Sequence, residues 1–104
     1  MPMTKRRSLL SVLAVAIPAT SALAADVVDG ERLARRWCSD CHVVAPNQQT
    51  PASEAPPFAA IARRADFNAA AVAFFLLDPH PKMPDMGLSR TAAGDLAAYI
   101  ETLK

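Results

Sequence analysis

Cys38-Ser39-Asp40-Cys41-His42 is the stretch on which the reading of this chain turns, because it holds both cysteines of a 104-residue sequence and one of its two histidines. Two thiols separated by two residues lie one helical turn apart and face the same side, with an imidazole immediately after them. That spacing lets the thiols reach the two vinyl groups along one edge of a porphyrin while the next residue turns its ring under the iron, so Cys-x-x-Cys-His reads as a site of covalent c-type haem attachment, with His42 as the proximal ligand. Two other chemistries use related patterns. A redox dithiol needs a lowered thiol pKa and a strand-helix setting, and the residues that follow show no strand alternation. A zinc site would have only Cys38, Cys41, His42 and His80 to draw on, at spacings that fit no finger.

Upstream of the motif the order of residues is that of an export signal. Lys5, Arg6 and Arg7 precede the apolar run Leu9 to Ile17, which is followed by Pro18 and the small residues Ser21-Ala22-Leu23-Ala24. The run is interrupted by Pro18, Thr20 and Ser21, short of the ~20 apolar residues a spanning helix needs. Residues 1–24 are therefore expected to be a signal peptide cleaved after Ala24, with residues 25–104 as one exported domain that has no membrane span. An uncleaved N-terminal anchor is the alternative. Arg6-Arg7-Ser8-Leu9-Leu10 brushes a twin-arginine pattern, but adjacent basic residues are common in ordinary signals, and export of an unfolded chain is favoured.

The whole sequence has 11 Lys+Arg against 10 Asp+Glu, a net charge of +1, which makes no case for nucleic acid. Without the three signal cations the balance is 8 basic against 10 acidic, and Lys82 and Lys104 are the only lysines left. Nine prolines and three glycines exclude a long coiled coil, and 52% hydrophobic content without charge blocks excludes a disordered chain. A domain this small has a thin core and usually relies on a disulfide, a metal or another staple.

The rest of the pattern is helical. A first helix is expected from about Val27 to Cys38, capped by Asp26. Four prolines between Val43 and Pro57 make that segment an extended loop, long enough to need something to hold it. A short helix is expected over 58–64 and another over 68–77, capped by Asp66 or Asn68 and stopped by Pro79. Three prolines between Asp78 and Gly87 exclude helix interior and central strand alike. The last helix starts after the Ser89 cap and carries Ala93, Leu96, Ala97, Ile100 and Leu103 at helical spacing, with Gly94 inside it costing roughly 1 kcal/mol relative to Ala.

Taken with Cys-x-x-Cys-His, four further features resemble the class I cytochromes c of the small bacterial type: Gly30 eight residues before the first cysteine, Pro56-x-Phe58, Met83-Pro84, and Leu96-Ala97-Ala98-Tyr99-Ile100 near the end. The resemblance covers nearly all of residues 25–104. It implies an all-α small cytochrome c fold packed around one haem c, bound through Cys38 and Cys41. It implies close crossing of the first and last helices, Gly30 and Ala34 against Leu96 and Tyr99. It also maps Pro56 onto the residue whose carbonyl accepts a hydrogen bond from the proximal histidine, a contact that fixes the ring and raises its basicity. An extended loop set by Pro56 and Pro57 is the simpler account of those prolines.

For the sixth ligand the resemblance points to Met83, immediately before a proline and 16 residues before Tyr99. A thioether is a soft neutral donor that favours ferrous iron and raises the potential. Met86 and His80 compete for that role. Met83 as a mere core filler is disfavoured, because its loop is polar and rich in proline. The chain departs from longer relatives in having no Trp in the 77–83 segment to approach a haem propionate; Arg63, Arg64 or Lys82 could serve in its place, though each reads first as a solvated surface cation. The expected function is outer-sphere electron transfer through the exposed haem edge near Cys38 and Cys41 in the periplasm, without catalysis at iron. Its partners would be redox proteins, a donor and an acceptor such as a periplasmic dehydrogenase and a terminal oxidase. The alternatives are a cytochrome subunit of a periplasmic dehydrogenase complex or a membrane-anchored carrier.

Overall fold

The computed structural model describes residues 1–3, 11–18, 24–49, 55–79 and 81–104. Its helices are α1 (Val27–Trp37), α2 (Phe58–Ala62), α3 (Ala69–Leu77) and α4 (Arg90–Glu101), and no strand occurs among the described residues. Half of the signal-peptide reading falls on residues 4–10 and 19–23, outside the described residues; residues 11–18 are exposed and belong to no helix. Among the described residues no helix is long and apolar enough to cross a membrane.

Each long helix starts where a short polar side chain can satisfy its first amides. Asp26 accepts from the amides of Val28 and Asp29 at 3.0 and 3.1 Å. Asn68 accepts from Ala71 and Ser89 from Ala92, both at 3.0 Å. Asn68 rather than Asp66 is thus the cap of α3. Two helix ends lie earlier than expected. Cys38 is the residue after α1, its amide still bonded to the Ala34 carbonyl, and α2 ends at Ala62, with Arg63 and Arg64 winding on in a tighter turn onto Ala59 and Ile61.

The core is built on α4. Its buried residues Ala93, Leu96, Ala97, Tyr99 and Ile100 receive Ala34 from α1, Phe58 and Ala62 from α2 and Leu76 from α3, together with Val44 from the loop after the Cys-x-x-Cys-His turn. The crossing of α1 and α4 is as close as expected, and what Gly30 meets first is the Asp95 backbone together with Tyr99. A Cβ on Gly30 would overlap the Asp95 carbonyl oxygen and sit 2.6 Å from its carbon and 2.8 Å from Tyr99 Cβ. Only glycine lets the backbones come this near. The same crossing buries the Asp95 side chain, whose Oδ1 accepts the Asp26 amide at 2.7 Å and ties the start of α1 to the middle of α4.

Candidate haem-attachment site

Because α1 runs straight into Cys38, the thiols are carried on the end of a packed helix. The amide of Cys41 bonds to the Cys38 carbonyl at 3.2 Å and that of His42 to the same oxygen at 2.9 Å, so the five residues form one more helical turn. Ser39 anchors the turn by donating its hydroxyl to the Arg35 carbonyl at 2.6 Å. Cys38 is half-buried against the core and Cys41 is exposed. Burial pushes the Cys38 thiol up to about 11, with the neighbouring Cys41 adding to the rise. A thiol held protonated in this way is the reverse of what a redox dithiol requires. Nor is there, among the described residues, a group of three His, Cys, Asp or Glu side chains that could hold a metal as a zinc site would.

His42 is held at both ends. Its Nδ1 lies 2.6 Å from the Pro56 carbonyl oxygen. A carbonyl can only accept, so Nδ1 carries the proton and Nε2 of the neutral ring carries the lone pair. Phe58, two residues beyond Pro56, tilts its ring against the imidazole at a centroid distance of 5.2 Å. The Phe58 amide closes the same loop by bonding to Val43 O at 2.9 Å.

The loop after His42, expected to need something to hold it, is held in its first part by one of its own side chains. Gln48 folds its carboxamide back into the turn, accepting from the Val44 amide at 2.6 Å and donating to the carbonyls of His42 and Ser39 at 2.8 and 3.0 Å. From α4, the Tyr99 hydroxyl donates to Val44 O at 2.6 Å in a buried contact spanning 55 positions. Residues 50–54 lie outside the described residues.

Met83 sits on the other proline-rich segment. It is half-buried and packs against the core cluster, so the premise that its loop offers no core to fill is corrected. Met86 is 37% exposed and outside that cluster. Gly87, with φ of 62°, turns the chain back toward α4, and its amide bonds to Asp85 Oδ1 at 2.8 Å. His80 lies outside the described residues; Arg63, Arg64 and Lys82 are exposed.

This donor set suits a covalently bound haem: two thiols on one turn, an imidazole whose Nδ1 is taken by a carbonyl so that Nε2 carries the lone pair, and a thioether held against apolar side chains. An all-helical chain whose first helix leads into such a turn, crossed at a glycine by its last helix, has the arrangement of a haem-bearing electron-transfer protein. The chain is 57% identical over 98 residues to cytochrome c-552 of Bradyrhizobium diazoefficiens, covering 94% of each chain, and it belongs to the c-type cytochromes. No protein-family model and no solved structure matches it.

Of the residues that order this site, Gln48 and Asp95 were not singled out in the sequence. Asp95 stands beside the apolar stripe of α4, one turn before Tyr99, where spacing alone does not announce burial. Gln48 had no signal, since a glutamine in a loop declares no partner.

Proposed function

We propose that the chain is an exported, periplasmic single-haem electron carrier and not an enzyme, with haem c joined through thioethers to Cys38 and Cys41 and its iron ligated by His42 and Met83. The observation that carries this reading is the His42–Pro56 bond at 2.6 Å beside the two thiols of one turn. When bound, haem supplies a one-electron couple at its iron.

The chain's own residues supply everything else. The Pro56 carbonyl orients the imidazole and increases its donor strength, as a partner on the remote nitrogen does for a ligating histidine. Met83 is restricted to extended backbone by Pro84 and packed against the core, which limits its movement when the charge on iron changes. The Cys38–His42 turn is braced by α1, Gln48 and Phe58. No general base or nucleophile takes part. With Lys82 and Lys104 as its only lysines beyond the signal, the domain has no lysine ring to select a partner, and its redox partners would be met through weak, transient contact.

Expression with the haem maturation machinery tests the attachment. The pigment should stay with the protein through acid-acetone extraction, and Cys38→Ala or Cys41→Ala should sharply reduce the yield of coloured protein. Release of the pigment from the wild type would overturn the reading.

A further inference from the structure

We infer that Gln48 is a positioning residue for the axial imidazole, holding the His42 backbone in the one orientation from which Nδ1 meets the Pro56 carbonyl. The inference rests on the proposed ligation by His42 and deepens it. Its basis is the company the Gln48 carboxamide keeps. The Val44 amide can only donate and the carbonyls of His42 and Ser39 can only accept, so Oε1 faces the first and Nε2 the other two, and the orientation of the amide follows without ambiguity. Both amide protons and one lone pair are in use.

The carbonyls it takes are those left over where the helical turn of the attachment motif stops. The last carbonyls of a helical turn have no partner further along the chain and must find side chains, water or a tighter turn. Here a single side chain nine positions past Ser39 closes two of them, and the Gln48 amide closes a third loop bond to Ala45 O at 3.1 Å. One of the two carbonyls is His42's own, which makes the contact more than a generic loop brace. The Cα–Cβ direction of His42 is set by its peptide units, the amide of one bonded to Cys38 O and the carbonyl of the other bonded to Gln48. The ring is then gripped at Nδ1 by a residue 14 positions on. Without the Gln48 clamp, the nearest remaining bonds past His42 are those of the Val43 carbonyl to the Phe58 amide and of the Val44 carbonyl to Tyr99, neither of them on the His42 carbonyl, and a small rotation of that peptide swings the ring away from Pro56.

Tyr99 separates this role from ordinary loop stability. Its hydroxyl bonds to Val44 O, two carbonyls beyond that of His42. Loss of that hydroxyl should weaken the fold and leave the imidazole in place.

The test compares Gln48→Met, Gln48→Ala, Gln48→Glu and Tyr99→Phe as mature haem-bearing proteins. Gln48→Met keeps length and bulk but neither donates nor accepts usefully; Gln48→Glu keeps an acceptor for Val44 and loses both donors. The readouts are solvent exchange of the His42 Nδ1 proton in the reduced protein, followed by NMR, and the reduction potential. Losing the clamp should speed Nδ1 exchange on the order of tenfold and shift the potential positive, because a less firmly hydrogen-bonded imidazole is a weaker donor to ferric iron. Gln48→Met and Gln48→Ala should agree, Gln48→Glu should show the same direction, and Tyr99→Phe should leave both readouts near wild type. If Gln48→Ala fails to mature, Gln48→Glu decides on the same readouts. Wild-type exchange and potential in the Gln48 variants, or equal changes in Tyr99→Phe, would overturn the inference while leaving His42 ligation intact; absence of a His42-ligated spectrum in the wild type would instead overturn the proposed function.

Discussion

The same substitution, Gly to Ala, should have opposite effects at two positions that lie in facing helices. At Gly30 the added methyl would overlap the Asp95 carbonyl oxygen, with the carbonyl carbon at 2.6 Å and Tyr99 Cβ at 2.8 Å. None of these atoms can be relieved by a rotamer change, so α1 and α4 must part, loosening the 2.7 Å bond from Asp26 to Asp95 as well. Overpacking a well-filled contact costs about 1–3 kcal/mol or more, and rigid backbone neighbours put this one at the upper end. Against that stands about 1 kcal/mol gained from helix propensity, leaving roughly 2 kcal/mol of destabilisation. At Gly94 an added Cβ meets nothing within 4 Å, so only the propensity acts and Gly94→Ala should stabilise by about 0.5–1 kcal/mol. Thermal melts of the haem-bearing proteins, followed by far-ultraviolet circular dichroism, should show Gly30→Ala lower than wild type by about 8–16 °C and Gly94→Ala higher by a few degrees, on a scale of about 4–8 °C per kcal/mol for a domain of this size. A Gly30→Ala protein as stable as wild type would refute the close crossing, and a destabilised Gly94→Ala would refute the open space beside that residue.

Met83→Ala should abolish the Met-to-iron absorption, lower the reduction potential and admit cyanide or carbon monoxide to the iron, while Met86→Ala should leave all three nearly unchanged; the reverse pattern would make Met86 the ligand. Asp95→Ala removes the acceptor of the Asp26 amide and should cost about 1–2 kcal/mol in urea denaturation, whereas Asp95→Asn keeps an acceptor and should cost only a few tenths. Tyr99 is raised above its ordinary value near 10, chiefly by burial and then by Glu31, with Arg35 acting in the opposite direction. The neutral phenol is therefore favoured in the fold, so its contribution is complete below about pH 10 and is lost as pH rises through the folded value; Tyr99→Phe should be less stable at neutral pH by about 1–3 kcal/mol, through the buried Val44 carbonyl it leaves unbonded, and should show a smaller loss in alkali. Haem-free chain should be largely unfolded, and a cooperative melt from it would contradict the thin-core argument.

Local chemistry explains which parts of this architecture were legible in the sequence. Asp26, Asn68 and Ser89 announce helix starts because a cap acts within three residues, and the prolines exclude helix wherever they stand. Helix ends are less legible: α1 and α2 stop one or two residues before Cys38 and Arg64, because the chain winds on in turns after each helix stops. The attachment turn was legible because its spacing is itself the chemistry. What could not be read were contacts whose partners are fixed only by the tertiary fold: Gly30 against the backbone of Asp95, Gln48 folding back on two carbonyls, and Met83 lying on the core although its neighbours in sequence are polar. A glycine advertises that something comes close, but not what.

The central claim, a carrier whose iron is ligated on both faces by this chain, is tested most directly by a reductive titration of the purified wild-type protein under carbon monoxide. It predicts uptake of one electron per chain, a low-spin spectrum in both oxidation states with a weak far-red ferric band that disappears on reduction, and no change when carbon monoxide is added to the ferrous protein. Rapid formation of a carbon monoxide complex, or a high-spin ferric spectrum without the far-red band, would show an open iron position and contradict it.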